Sequence, residues 1–210
     1  MISHGASKLA AAFEENPVRQ PPPSVLSRFA ARFVRAERGA TAIEFALLSL
    51  PMMVMIFGAL ELAMVFMVTT TLDTATQMAS RQIRTGEFQT SAANSKNDFK
   101  TLVCGQMTWL GSSCATNLWL DVQTFSNFSG LAATPPINPA TFNPAATCFS
   151  AGQQTDIVLV RAYYQWDLFT PLLNNALENM GGGSGKRLIS STTAFRNEPF
   201  NTNPPVGNKC

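Results

Sequence analysis

The longest pattern in the sequence is an apolar run from Ala46 to Val68. Its 23 residues carry one formal charge, Glu61. As an α-helix with a rise of about 1.5 Å per residue, the run is roughly 34 Å long, enough to cross a hydrocarbon layer of about 30 Å. A buried helix of a soluble domain is the weaker alternative, because such helices are usually shorter. The pattern therefore predicts a transmembrane span at about 46–68.

Helical spacing continues beyond this span. Semi-apolar residues recur at steps of three and four up to Ile83, at Leu72, Ala75, Met78, Ala79 and Gln82. The sequence therefore predicts one long helix over 40–84, ended by Gly86. Pro51 lies inside it, and because proline removes a backbone hydrogen bond we expect a kink there.

Residues 1–39 have a different character. They are polar up to Ser24 and include three consecutive prolines, which predicts a disordered leader. The following stretch, Ser24 to Arg38, is basic, and either a short amphipathic helix on the membrane surface or an unstructured basic segment fits it. Because Arg28, Arg32, Arg35 and Arg38 precede the span closely, the positive-inside bias predicts a cytoplasmic N-terminus and a C-terminal domain across the membrane.

The C-terminal part, 85–210, mixes helical and alternating patterns. We predict helices at Ser95–Met107 and Leu168–Met180, a long surface loop at Asn127–Cys148, and strands at Leu118–Phe125, Thr155–Trp166 and Leu188–Arg196. The fold class is therefore α+β. A long N-terminal transmembrane helix precedes a small domain with a three- or four-stranded antiparallel sheet and short helices.

Composition argues against several functions. A formal net charge of +2, with the basic residues clustered before the span, does not favour nucleic-acid binding. His4 is the single histidine and lies in the leader, and the acids beyond the span show no paired spacing typical of a carboxylate dyad. We therefore expect no enzymatic activity, no cofactor and no metal.

The four cysteines all follow the span: Cys104, Cys114, Cys148 and Cys210. An even number on one side of a membrane predicts disulfides in an oxidising compartment, and four free thiols are the alternative. Cys104–Cys114 and Cys148–Cys210 are the pairing we favour, although four cysteines allow three connectivities.

Four segments in order resemble one family. They are RGATAIEFA at 38–46, the pair Glu61-Leu62, ASRQIRTG at 79–86 and FRNEPF at 195–200. Together they resemble the TadE family, which comprises pseudopilins or minor pilins of the tight-adherence (Flp) pilus assembly system. The chain length and the last segment favour TadE over the longer TadG-type proteins that share the anchor region.

The resemblance implies specific roles. A prepilin-type peptidase would cleave between Gly39 and Ala40 at the cytoplasmic face of the bacterial inner membrane, leaving Glu44 and Phe45 as the fifth and sixth residues. Other expected partners are TadF-like and Flp-like pilins, the inner-membrane assembly platform and the lipid bilayer, with the C-terminal domain in the periplasm in a pilin-like fold.

Two acids in the apolar helix are candidate assembly residues. If Ala40 becomes the N-terminus, its ammonium group, or that of a neighbouring subunit, can pair with Glu44. A carboxylate is costly in an apolar setting unless it is paired. Glu61 lies deeper, beside Gly58 and a small-residue pair at Ala59 and Ala63, which favours a helix–helix contact. Snorkelling or protonation of Glu61 is the alternative.

Two classes of function follow. The first is a structural subunit of a pilus machine, either incorporated in the fibre or held at its base. The second is a single-pass anchored domain that binds a ligand or an envelope component. The mass of the mature chain discriminates between them, because cleavage after Gly39 is expected only for the first.

Overall fold

A computed structural model describes residues 37–200. The predictions for residues 1–36, a disordered leader followed by a basic segment, and for Cys210 lie outside this range. The described chain has a long helix, α1 (Glu37–Arg84), and a sheet of β1 (Leu118–Phe125), β2 (Ile157–Asp167) and β3 (Lys186–Arg196). Shorter helices lie between them: α2 (Glu87–Thr90), α3 (Lys96–Gln106), α4 (Ser112–Asn117), α5 (Phe128–Ala132) and α6 (Asn174–Leu177). This arrangement confirms the α+β class.

The chain divides into two compact units after Leu50. The second unit holds the sheet and the part of α1 that packs on it. Strand order is β1-β2-β3, and both pairings are antiparallel, so β2 is central. The predicted strand Leu118–Phe125 matches β1, and the two other predicted strands differ from β2 and β3 by one or two residues at their ends.

The main core lies between α1 and one face of the sheet. On α1 the buried apolar positions are spaced by three or four residues, at Val68, Leu72, Ala75, Ala79 and Ile83. The opposing sheet residues alternate along each strand, as expected for one covered face: Leu118, Leu120, Val122, Val158, Val160, Ala162, Tyr164 and Ile189. The apolar residues with helical spacing on α1 and those that alternate along the strands therefore pack together in one core.

Gly86 ends α1 as predicted. Its φ is +80°, a left-handed conformation that costs glycine little and most other residues more. A Cβ at this position would also lie 2.5 Å from the ring of Phe200. Both the conformation and the space therefore require glycine where the chain leaves α1.

Helix α3 begins with a capping box. Ser95 accepts a hydrogen bond from the Asp98 backbone N–H, and the Asp98 carboxylate accepts one from the Ser95 N–H at 2.8 Å. The Ser95 hydroxyl also donates to this carboxylate, which lowers the pKa of Asp98 because the charged form is the better acceptor. The capping box is a local sequence signal that favours a helix start where the helical pattern predicted one.

The predicted helix Leu168–Met180 is wrong. The chain forms a 3₁₀ turn at Pro171–Leu173 and only one turn of α-helix at Asn174–Leu177. Asp167 is the last residue of β2 and forms an ion pair with Lys186 at 3.7 Å. The apolar spacing of this segment therefore does not produce a long helix. The predicted loop Asn127–Cys148 likewise contains α5 and two 3₁₀ turns.

Candidate functional site

The first half of α1 carries an unusual amount of exposed apolar surface. Many of its large apolar side chains are at least 45% exposed: Ile43, Phe45, Leu47, Leu48, Leu50, Met52, Met53, Met55, Ile56, Phe57 and Leu60. Helix α1 is long and apolar enough to cross a membrane. Within this part of the helix, only a small share of the side chains is buried by the chain itself, which is consistent with a single-pass membrane anchor.

Gly39 and Ala40 lie in the first turn of α1, which begins at Glu37. The prediction placed the start of the helix at about Ala40, so the two starts differ by three residues. The first backbone N–H groups of a helix have no intrahelical acceptor.

Glu44 lies on the exposed surface of α1, one turn beyond Ala40. Among the residues that the structure describes, no side chain forms a hydrogen bond or an ion pair with its carboxylate. Phe45, which follows it, is also exposed. As far as the described residues go, both side chains are therefore accessible to a partner.

Glu61 has the opposite environment. Its side chain is completely buried, and its Oε2 accepts hydrogen bonds from the backbone N–H groups of Phe169 at 3.1 Å and Thr170 at 2.9 Å. The predicted helix–helix contact is not what the structure places here. The carboxylate contacts the chain's own segment between β2 and α6, 108 residues further along. Glu61 therefore accepts its hydrogen bonds from within its own subunit.

Gly58 lies one turn before Glu61 and is also buried. A Cβ at position 58 would lie 2.8 Å from Cδ1 of Leu173. The missing side chain therefore allows the segment after β2 to approach the helix closely. Sequence reasoning placed Gly58 on the same face as Glu61 but assigned that face to another helix.

Phe169 and Thr170 are site residues that the sequence did not reveal. They contribute only backbone N–H groups, and no residue type is required for that. One signal was available in Pro171, since a proline disfavours the α-helical region for the residue before it, which argues against a helix that begins at Leu168. Recognising the contact with Glu61 still requires the tertiary structure.

Cys104 and Cys114 form a disulfide between α3 and α4, as one of the two predicted pairs required. Cys114 is buried in the main core, against the sheet. The second pair, Cys148–Cys210, stays a prediction because Cys210 lies outside the described residues.

The double substitution of Cys104 and Cys114 by alanine should lower the free energy of unfolding by roughly 2–3 kcal/mol, the chain-entropy value for closing a loop of this size. Urea unfolding of the full chain in detergent micelles measures it. Ser112→Ala, at an exposed position of α4, is the control and should leave the unfolding midpoint unchanged. Equal midpoints for the double variant and the parent would show that the bridge does not stabilise the domain.

Comparison with known proteins identifies one family. Residues 39–81 match the family model of TadE-like proteins, which confirms the resemblance. The match begins at Gly39, includes Glu44 and Glu61, and ends within α1. No curated protein and no solved structure matches the chain significantly.

Proposed function

We propose that this protein is an assembly subunit, a pseudopilin or minor pilin, of a tight-adherence pilus. The TadE-like match associates the chain with the Tad pilus system and with a structural role. The observation that supports the finer proposal is the contrast between Glu44 and Glu61 of α1. Glu61 is hydrogen-bonded within the subunit, whereas Glu44 is exposed on an apolar helix with no partner in the described chain.

Processing after Gly39 would supply the partner that Glu44 lacks. Cleavage of the Gly39–Ala40 bond by a prepilin-type peptidase creates a new ammonium group on Ala40. Four residues of helix separate Ala40 from Glu44, which is about 6 Å along the axis. The ammonium group of a neighbouring subunit can reach the carboxylate when the two helices are staggered by about one turn.

This pair would select the register of helix packing. The exposed apolar residues of α1 pack equally well against lipid or other apolar helices and therefore specify little by themselves. A charge pair within an apolar surface is strongly dependent on alignment, because an unpaired carboxylate there is costly. The expected partners are TadF-like and Flp-like pilins and the inner-membrane assembly platform.

The proposed topology follows from charge. Arginines before the span support a cytoplasmic N-terminus, where the peptidase would act, and a periplasmic sheet domain. The disulfide between Cys104 and Cys114 is in accord with an oxidising compartment.

Cleavage has a direct test. In cells with an active pilus system, the intact mass of the membrane-extracted chain should correspond to a start at Ala40. Gly39→Leu should leave only the precursor, because the larger side chain would have to occupy the position of a hydrogen atom beside the scissile bond. Ala42→Leu adds comparable bulk nearby and should still be processed.

A parent chain that retains Met1–Gly39 under these conditions would contradict the proposal. It would favour the alternative of an anchored domain that binds a ligand or an envelope component. Processing of Gly39→Leu at the normal rate would show that cleavage occurs at another bond.

A further inference from the structure

We propose that the segment Leu168–Leu173, here called the tip segment, is a second contact with the lipid bilayer beside α1. It would enter the leaflet on the side of the sheet domain, below the polar layer of that leaflet. The inference rests on the structure around Glu61 and does not require cleavage after Gly39.

The face of α1 that points away from the sheet domain shows where lipid contact ends. Leu62, Phe66 and Met67 are exposed apolar residues on this face. Three threonines, Thr69 to Thr71, follow them, and their hydroxyl groups donate to backbone carbonyls one turn earlier. The apolar surface that suits a lipid environment therefore extends to about Met67.

The tip segment contacts α1 at positions that are closer to the centre of the bilayer than Met67. It contacts the helix at Gly58 and Glu61, which are nine and six residues before Met67. At about 1.5 Å per residue these contacts lie roughly 14 and 9 Å closer to the centre of the bilayer than Met67. The polar layer on each side of the hydrocarbon core is only about 5–7 Å thick. If α1 is inserted up to Met67, the tip segment cannot remain wholly in water.

The side chains of the tip segment suit this position. Phe169 is 48% exposed and Leu172 is 76% exposed, while Leu168, Pro171 and Leu173 are also apolar. No residue from Leu168 to Leu173 is charged. The adjacent charges, Asp167 and Lys186, pair with each other at the end of the sheet.

The backbone of the tip segment is also suited to an apolar environment, where an unsatisfied N–H group is costly. Leu168 donates to the Gly185 carbonyl, Phe169 and Thr170 donate to Glu61, and Leu173 donates to the Thr170 carbonyl. Pro171 has no N–H, so among the donors of this described segment the Leu172 N–H is left for water or a lipid headgroup. Glu61 thus has a physical reason to be buried: it satisfies two donors of a segment placed at the membrane.

Quenching by brominated lipids tests the inference. The full chain would carry Trp166→Phe, which removes the native tryptophan beside the tip segment, and a new tryptophan at Leu172. Phe128→Trp in the same background is the matched control. Phe128 is 58% exposed and follows β1, whose last residue pairs with the first residue of β2, so it lies at the opposite end of the sheet from the tip segment.

In nanodiscs with brominated acyl chains, the emission added by Leu172→Trp should be quenched at least twofold more than the emission added by Phe128→Trp. An intact Cys104–Cys114 bridge, measured by mass, verifies the fold of both variants. Equal quenching at the two positions would overturn the inference. Equal quenching is also the result expected if another protein, and not lipid, covers the tip segment. Nanodiscs that contain this chain alone would then leave residue 172 in water.

Discussion

In cells that carry Glu44→Ala, we expect normal amounts of the protein in the membrane and few or no pili. Processing after Gly39 and the Cys104–Cys114 bridge should be retained. The loss of pili should be at least tenfold, because a change of only 1.4 kcal/mol in the free energy of subunit association is already tenfold. Immunoblots of membranes, beside counts of surface pili, measure the two quantities.

The physical reason is that the described part of the chain gives Glu44 no structural task. Its side chain is exposed, and the described residues provide it with no hydrogen bond or ion pair. Removing it leaves no donor unsatisfied and removes a carboxylate from an apolar surface, so the stability of the anchored subunit should hold or rise. The loss appears only where a neighbouring ammonium group would need the carboxylate.

Two further variants make the result specific. Glu44→Gln keeps the size and polarity of the side chain but removes its charge, and it should lose pili to a similar extent. Ser49→Ala, on the same helix, should assemble normally. Normal piliation of Glu44→Ala, or its degradation before assembly, would each contradict the proposed role.

The parts of the fold that the sequence predicted correctly are those specified by local patterns. Helix α1 follows from an apolar run continued by spacing of three and four, and its end follows from Gly86. The alternation of apolar and polar residues gave β1 at its observed bounds, and helical spacing gave α3 to within one residue at each end. Each of these signals lies within the helix or strand that it specifies, or directly beside it in the sequence.

The errors occur where distant parts of the chain decide the structure. Leu168 to Met180 has helical spacing, but Glu61 provides the acceptor for two of its N–H groups from 108 residues away. With Pro171 in the same segment, this contact replaces the beginning of a helix. No local pattern contains it, so the same missing contact explains the wrong helix and the wrong environment predicted for Glu61.

The sequence did not reveal that Glu44 and Glu61 of α1 differ in burial. Each is a single carboxylate in an apolar stretch, and both read as candidates for contacts between subunits. Burial separates them: Glu61 is enclosed by its own chain, and Glu44 is not. Glu44→Ala should consequently impair assembly without lowering the stability of the subunit, whereas Glu61→Ala should lower that stability.

Glu61→Ala should destabilise the contact between the tip segment and α1. It removes the acceptor of the Phe169 and Thr170 N–H groups, and an unsatisfied buried donor costs about 1–3 kcal/mol. Part of this cost is offset because a buried carboxylate is removed as well. We expect the free energy of unfolding to fall by roughly 1–3 kcal/mol, with the largest local effect at these two amides.

Hydrogen exchange of the full chain in nanodiscs measures this effect at the residues concerned. The amides of Phe169 and Thr170 should exchange at least tenfold faster in Glu61→Ala, whereas amides in the centre of β2 should change much less. Glu61→Gln is the matched control, because its side-chain carbonyl can accept the bonds that Oε2 accepts in the parent. It should therefore retain most of the protection. Unchanged exchange at both amides in Glu61→Ala would show that the carboxylate does not hold the tip segment, and equal loss in Glu61→Gln would show that the charge itself is required.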